Sequence, residues 1–237
     1  LVSCGDDEKQ EIYSLSFEKG YYERPLLGAK NIPVRGGNRD YTVTVQNTDV
    51  LSINIDLSSP IGMGNLVVKP KQKGETTVTV KDNVTNETVN LKIKIVDSYL
   101  NLKVAHPAQV PYSGGENLFF INNSDRDFYL FDEKMEKKEC TGNYQFLIKN
   151  STCYMILNFD KELNDKSTYE YNISNTSERM FTLIEILLGV DWNMKADLIN
   201  RSTRSASPVI MNAVDTETNL TQYFVAGSND IPENILD

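Results

Sequence analysis

Apolar and polar side chains alternate repeatedly between residues 32 and 96, and this alternation constrains the fold more than any other feature. It runs over residues 41–45, 51–56, 78–80 and 89–95. Side chains two residues apart lie on the same face of a β-strand, so each stretch predicts a strand with one buried face. Turn residues separate the stretches, for example at Gly36, Gly37 and residues 82–86. Short strands at this spacing predict an antiparallel β-sandwich.

The remainder of the chain predicts a second β-rich domain. Its strand candidates are residues 100–104, 118–121, 128–131, 144–148, 153–159, 169–173, 192–198 and 222–225. We expect either a β-sandwich or an α+β fold with one short helix.

One segment breaks the β pattern, because Glu178, Thr182 and Glu185 recur at near-helical spacing among apolar residues. Ser177 or Asn175 can cap such a helix, and Gly189 can end it. We therefore predict a helix against the sheet, and a buried strand is the alternative.

The charge balance excludes one class of partner. The chain has 33 acidic and 24 basic residues, a net charge of −9, and its basic residues form no run. This balance repels phosphate backbones, so nucleic-acid binding is not expected. The longest apolar stretch, residues 180–190, is too short to span a membrane as a helix.

The motif order in residues 11–97 resembles the group 2 bacterial Ig-like domains, especially those of Bacteroidetes lipoproteins. The motifs are Ile-Pro-Val-Arg-Gly-Gly at 32–37, Tyr-Thr-Val at 41–43, the segments 47–53 and 73–82, and the final run 91–96. The tryptophan that many members carry before the Asn-rich turn is missing. The resemblance implies a spacer or adhesion module without shared catalytic residues.

The first residues, Leu-Val-Ser-Cys-Gly, resemble a bacterial lipobox, and an acidic run follows at residues 6–8. The resemblance implies that Cys4 is diacylated, and two acyl chains make membrane anchoring stable. A stray thiol in a polar tail is the alternative. The acidic run also resembles the Bacteroidetes signal for export to the outer face of the outer membrane; a periplasm-facing location is the alternative.

These observations predict three parts of the chain. Residues 1–10 form the lipobox and an acidic tether, residues 11–97 an Ig-like sandwich, and residues 98–237 a second β-rich domain of unrecognised family.

The sequence offers little for catalysis. His106 is the only histidine, so it is the one candidate base for a nucleophilic triad, and a solvent-facing loop histidine is the alternative. One histidine and three cysteines are too few to predict a zinc site, and we predict no metal, no cofactor and no enzymatic activity. Glu185 is the candidate acid for carboxylate chemistry because it lies in an apolar stretch. The alternative is that Glu185 belongs to the polar face of an amphipathic helix. Residues 122–127 faintly resemble a calcium loop, and a polar β-turn explains them equally well.

Cys140 and Cys153 are candidates for a disulfide, since exported proteins meet oxidising conditions. The predicted strand 144–148 argues against the bond. It would place the two cysteines near opposite ends of a hairpin, beyond the roughly 7 Å between Cα atoms that a bridge tolerates.

Aromatic residues are the candidates for stacking on a glycan, foremost Tyr21, Tyr22 and Trp192. Adjacent Tyr21 and Tyr22 point to opposite sides of an extended chain, so one of them is a candidate for exposure. The alternative is that these rings belong to the core.

We therefore expect a non-enzymatic envelope lipoprotein that is a surface-exposed adhesion or binding module for a glycan or protein. The alternative is a structural or assembly subunit of an outer-membrane complex; a carboxylate-dependent glycoside hydrolase is less favoured. An exposed aromatic cluster on the second domain would favour binding, and a long unpaired strand edge would favour assembly.

Overall fold

The computed structural model describes residues 11–192 and 209–237, with the backbone alone at 137–139. The chain forms two compact units, one ending at Val96 and the other beginning at Asp97. The described residues form fifteen strands and one helix. The predicted mainly β fold is therefore confirmed.

Unit 1 consists of two sheets. Its strands are β1 (Tyr21–Pro25), β2 (Ile32–Pro33), β3 (Tyr41–Val45), β4 (Leu51–Asp56), β5 (Asn65–Pro70), β6 (Gly74–Asp82) and β7 (Thr88–Val96). The strand orders are β1-β7-β6-β3 and β2-β5-β4.

The alternating side chains of both sheets enclose one apolar core. Leu51 and Leu66 from one sheet and Leu91 and Ile93 from the other are fully buried in it. One pairing departs from the predicted antiparallel pattern, because β1 runs parallel to β7. The chain passes from β1 to β2 in the other sheet, so β1 is not bound to a hairpin partner.

Four segments meet at one end of unit 1: residues 11–16, 36–40, 57–64 and 82–87. We call this the loop end. The buried Asp82 carboxylate accepts hydrogen bonds from the Asn38 amide at 2.8 Å and the Val84 amide at 2.9 Å. The Arg39 guanidinium donates to the carbonyls of Leu57 and Ser59 at 2.8 and 2.9 Å. These two side chains fix the loops relative to one another.

Unit 2 is a closed barrel of eight strands. They are β8 (Tyr99–Val104), β9 (Asn117–Ile121), β10 (Asp127–Phe131), β11 (Lys137–Lys149), β12 (Thr152–Phe159), β13 (Thr168–Asn172), β14 (Ile210–Asp215) and β15 (Thr221–Ala226). Each strand pairs antiparallel with the next, and β15 pairs with β8. Sequential strands with a closing pair make a barrel. The predicted β-rich domain with one short helix is therefore present, and its strands form a closed barrel instead of a sandwich.

Aromatic rings fill the barrel. The Phe120 ring contacts those of Tyr144 and Phe146 at centroid distances of 5.0 and 5.9 Å, and Phe128 meets Phe159 at 5.0 Å. These residues belong to a single buried cluster with its half-buried neighbours. Within the part of unit 2 that the structure describes, the barrel interior is a packed apolar core.

The predicted helix is present as α1 (Glu178–Leu188), with Gly189 in the left-handed conformation at its C-cap. Four apolar residues of one face, Met180, Phe181, Ile184 and Leu188, are buried with the barrel core. Ser177 occupies the N-cap position, but its hydroxyl donates to the Ile210 carbonyl at 3.1 Å instead of capping the first turn. The buried-strand alternative is wrong.

The helix covers one mouth of the barrel. Arg126, in the turn after β9, donates to the Leu188 carbonyl and to the Asn122 side chain at 3.0 Å. A cation at this position complements the negative C-terminal end of a helix. β8 begins at this helix mouth, because Tyr99 pairs with Ile121 just before that turn. The other mouth therefore lies at the opposite end of unit 2 from the point where the chain enters it.

Candidate functional site

The two residues singled out for acid–base chemistry lie at the surface. The His106 side chain is exposed, and its ring lies against Gly114, where a Cβ atom would meet ring atom Cε1 at 1.9 Å. Glu185 is exposed on α1. Neither is placed to act on a substrate held inside the barrel.

Two of the three predicted glycan-stacking residues are buried, which corrects that prediction. Tyr22 belongs to the core of unit 1. Trp192 lies in the core of unit 2, where its indole N–H donates to the Phe181 carbonyl at 3.2 Å and its ring contacts Phe146. Tyr21 is half-buried, and its hydroxyl donates to the Glu23 carboxylate at 2.6 Å. Burying the large rings stabilises each unit more than exposing them would.

Cys140 and Cys153 are both thiols. Cys153 pairs with Ile148, which lies eight residues from Cys140 along β11. At about 3.4 Å per residue this separation is far beyond the reach of a disulfide, so the bond is not formed in this structure. Burial raises the pKa of the Cys153 thiol, which disfavours the nucleophilic thiolate. Cys4 lies outside the described residues.

The second mouth of the barrel is filled by a loop, residues 105–116, which connects β8 to β9. Tyr112 of this loop is buried and accepts a hydrogen bond from the Tyr171 hydroxyl at 3.2 Å. Burial raises the pKa of both hydroxyls, so they stay neutral near pH 7 and cannot act as bases. We call this end the loop mouth.

A buried amide holds the loop to β15. The Gln222 side chain is almost completely buried; its carbonyl accepts from the Gln109 amide at 2.7 Å, and its N–H donates to the Tyr223 carbonyl at 2.6 Å. The Ala105 amide also donates to the Tyr223 carbonyl, at 2.9 Å. The loop is therefore anchored along β15.

Three large apolar side chains are exposed close in the chain to these anchoring contacts, one next to Gln109 and two on either side of Gln222. They are Val110 at 73%, Leu220 at 51% and Tyr223 at 44% exposure. Between residues 105 and 113 no side chain is acidic, lysine or arginine, and between 216 and 223 only Glu217 is charged. We call Val110, Leu220 and Tyr223 the loop-mouth patch. Aromatic and apolar groups exposed on a fixed, nearly uncharged surface are typical of binding sites.

Sequence reasoning missed this patch, although a signal for it was present. In the predicted strand 222–225, Tyr223 alternates with the apolar Phe224, so it faces outward if Phe224 faces the core. The position of Val110 depends on the shape of the loop, which no periodicity encodes.

A cleft of about 350 Å³ lies beside α1 and is lined by Glu178, Arg179, Thr182, Leu183 and Val209. The Thr182 hydroxyl donates to the Glu178 carbonyl at 3.1 Å within the helix. Among the five lining residues, the Thr182 hydroxyl is therefore bonded to a backbone carbonyl and not to a side-chain base. A hydroxyl without such a base is not an activated nucleophile.

Within residues 11–192 and 209–237, no three His, Cys, Asp or Glu side chains gather closely enough to hold a metal ion. No helix in these ranges has the length and apolar character needed to cross a membrane.

The described part of the chain thus combines a two-sheet β unit with a filled, closed barrel that carries an exposed patch. No family model matches the sequence, and no curated protein matches it. Two solved structures align with it, both of the surface layer protein SbsC. Domains 5–6 share 13% identity over 90% of this chain and 95% of that one, with a TM-score of 0.30. Domains 4–9 share 11% identity over 91% of this chain and 31% of that one, with a TM-score of 0.31. TM-scores this low do not establish a shared fold.

Proposed function

We propose that this chain is a non-enzymatic lipoprotein of a bacterial envelope, anchored through Cys4 and exposed at the cell surface, where its barrel unit binds a glycan or protein. The loop-mouth patch is the observation that carries the binding role. Its three apolar side chains lie on an anchored surface at the end of unit 2 away from the incoming chain.

The strand edges favour binding over assembly by strand addition. A closed barrel has no edge strand to offer. In unit 1 the edge strands β1, β2, β3 and β4 have only two to six residues each. The described sheets therefore lack the long unpaired edge that an assembly subunit would use for β-augmentation.

The non-enzymatic part of the proposal is supported by the positions of the candidate groups. His106 and Glu185 are exposed and lie on different elements, and Tyr112 and Tyr171 are held neutral by burial. Catalysis requires an acid or base within hydrogen-bonding reach of a bound substrate.

The patch is tested with a double variant, Val110→Ser with Tyr223→Ala, in the full chain made soluble by Cys4→Ala. We expect its affinity for whichever immobilised glycan or purified matrix protein binds the parent to fall at least about tenfold, because central anchors dominate binding energy. The control is Ile148→Ser, which changes an exposed apolar residue near the helix mouth. Equal affinities for the double variant and the control would place binding elsewhere.

The anchor is tested by fractionating native cells. We expect the parent protein in the membrane fraction and accessible to external protease, and the Cys4→Ala protein in the soluble fraction, because two acyl chains provide the stable attachment. The matched control is Cys140→Ala, which removes a half-buried cysteine of the barrel and leaves the lipobox intact. Membrane retention of Cys4→Ala would contradict the proposal.

A further inference from the structure

We infer that the loop end of unit 1 rests on the lipid headgroups of the membrane that holds the anchor, with Ile61 and Tyr13 touching lipid. This inference rests on the proposed acylation of Cys4. It adds a second membrane contact, made by the folded unit itself.

The N-terminal segment of unit 1 lies at the loop end. The Tyr13 amide donates to the Asn38 side chain at 3.0 Å, and the Leu15 amide donates to Glu87 at 2.7 Å, so residues 13–15 are held at the loop end. Glu11 is seven residues from Cys4, a separation of at most about 25 Å even when fully extended. An acylated Cys4 therefore keeps the loop end close to the bilayer.

The exposed apolar side chains of unit 1 are concentrated at the loop end. Among the described residues of unit 1, the exposed large apolar side chains at the loop end are Ile12, Tyr13, Ile61 and Val84. Only Leu27 is exposed away from it, beyond β1, where the neighbouring Leu26 amide donates to the Val96 carbonyl at 2.9 Å. The end held near the anchor is thus the apolar end of the unit.

The loop that carries Ile61 is already ordered for contact. Arg39 donates to the carbonyls of Leu57, Ser59 and Gly62, and the Ser59 hydroxyl donates to the Ile61 carbonyl at 3.0 Å. Ile61 itself is 87% exposed, and residues 57–64 include no charged side chain. A loop ordered in advance loses little conformational freedom when it meets a surface.

The charge of the loop end determines which lipids it tolerates. Its four segments contain four acids, Glu11, Asp40, Asp82 and Glu87, against the single base Arg39, a net charge of −3. Anionic headgroups repel such a surface, and salt screens the repulsion. The contact should therefore be strongest on zwitterionic bilayers and should weaken as the anionic lipid fraction rises at low salt.

The test uses acylated full-length protein, with its intact mass verified, in vesicles of brominated phosphatidylcholine. Bromine quenches tryptophan fluorescence on contact. We expect Ile61→Trp to lose most of its added emission and Leu27→Trp, the matched control at the far end, to keep it. In the parent protein the only tryptophan emission comes from Trp192, which is buried in unit 2.

A second experiment measures the contribution of Ile61 to the contact. In protein labelled by Tyr13→Trp, the additional change Ile61→Ser should shift the equilibrium between bound and unbound loop end about tenfold towards the unquenched, unbound state, because a buried isoleucine stabilises such a contact.

The outcomes separate the two proposals. If the protein is acylated but the fluorescence of Ile61→Trp is quenched no more than that of Leu27→Trp, the loop end does not contact lipid. That result overturns the inference and leaves the proposed anchor intact. Quenching that grows with anionic lipid also overturns it, because the charge argument then has the wrong sign. Protein without lipid on Cys4 overturns both.

Discussion

Replacing Phe120 with alanine is expected to destabilise unit 2 by about 3–5 kcal/mol, the usual range for removing a buried phenylalanine. Phe120 is fully buried, and its ring contacts Phe128, Tyr144 and Phe146. These neighbours lie on the paired strands β10 and β11 of a filled barrel, so they cannot close the cavity without disturbing the strand pairing. The unfolding temperature of the unit should fall by roughly 10 °C or more.

The fluorescence of Trp192 measures this effect in the whole chain. It is the only tryptophan, and it is buried against Phe181 and Phe146 in unit 2. The control is Tyr223→Ala on the outer surface, which should change stability by no more than about 0.5 kcal/mol. A Phe120→Ala protein as stable as this control would mean that the barrel interior is not packed as described.

Replacing Asp82 with alanine is expected to destabilise unit 1 by about 3 kcal/mol, because it leaves four partly buried donor groups without a charged acceptor. The carboxylate is fully buried and accepts from the Asn38 amide and side chain and from the amides of Val84 and Thr85. Urea unfolding followed by circular dichroism measures the change. The control is Asp40→Ala, an exposed carboxylate that accepts from Asn83.

The same residue gives unit 1 a pH dependence with a definite sign. Burial alone would raise the pKa of Asp82, but the hydrogen bonds from Asn38, Val84 and Thr85 outweigh it and lower the pKa. A lowered folded-state pKa stabilises the fold above the unfolded value of about 3.9, and this contribution is lost as the pH falls through the folded pKa. Asp82→Ala should therefore lose less stability than the parent on acidification. A variant with the parent's pH profile would refute this role.

The strands with regular alternation could be predicted, and those with interrupted alternation could not. The sequence indicated β3, β4, β7 and β12, where every second side chain is apolar. It did not indicate β14 (Ile210–Asp215), whose inward positions include Ala213 and Asp215 rather than large apolar residues. The prediction placed a strand at residues 192–198 instead, and only Trp192 of that segment lies within the described residues. Eight candidate strands can form a sandwich or a barrel, because local alternation does not report which strands pair.

A repeated turn motif is a signal that could have located that missing hairpin. Asp82 and Asp215 each begin an Asp-x-x-Thr-Asn segment that joins two paired strands. In both, the carboxylate accepts from the amides two and three residues on, and the asparagine has a positive φ, 61° at Asn86 and 59° at Asn219. Asparagine tolerates this conformation, so the motif has a physical basis as a hairpin turn.

The candidate site was the least predictable part. Tyr22 and Trp192 were reasonable candidates by residue type, but exposure depends on which face of each unit is covered. The loop-mouth patch depends on the hydrogen bond between Gln109 and Gln222, which holds the loop 105–116 against β15. These two residues are 113 positions apart in the chain. Local sequence patterns do not report contacts at that separation.

The proposed anchor is tested by the intact mass of the protein purified from membranes of its native cells. We expect a polypeptide that begins at Cys4 and carries added acyl mass, and a Cys4→Ala protein that carries none. A parent protein of unmodified mass, unchanged in location by Cys4→Ala, would show that this chain is not an anchored binding protein.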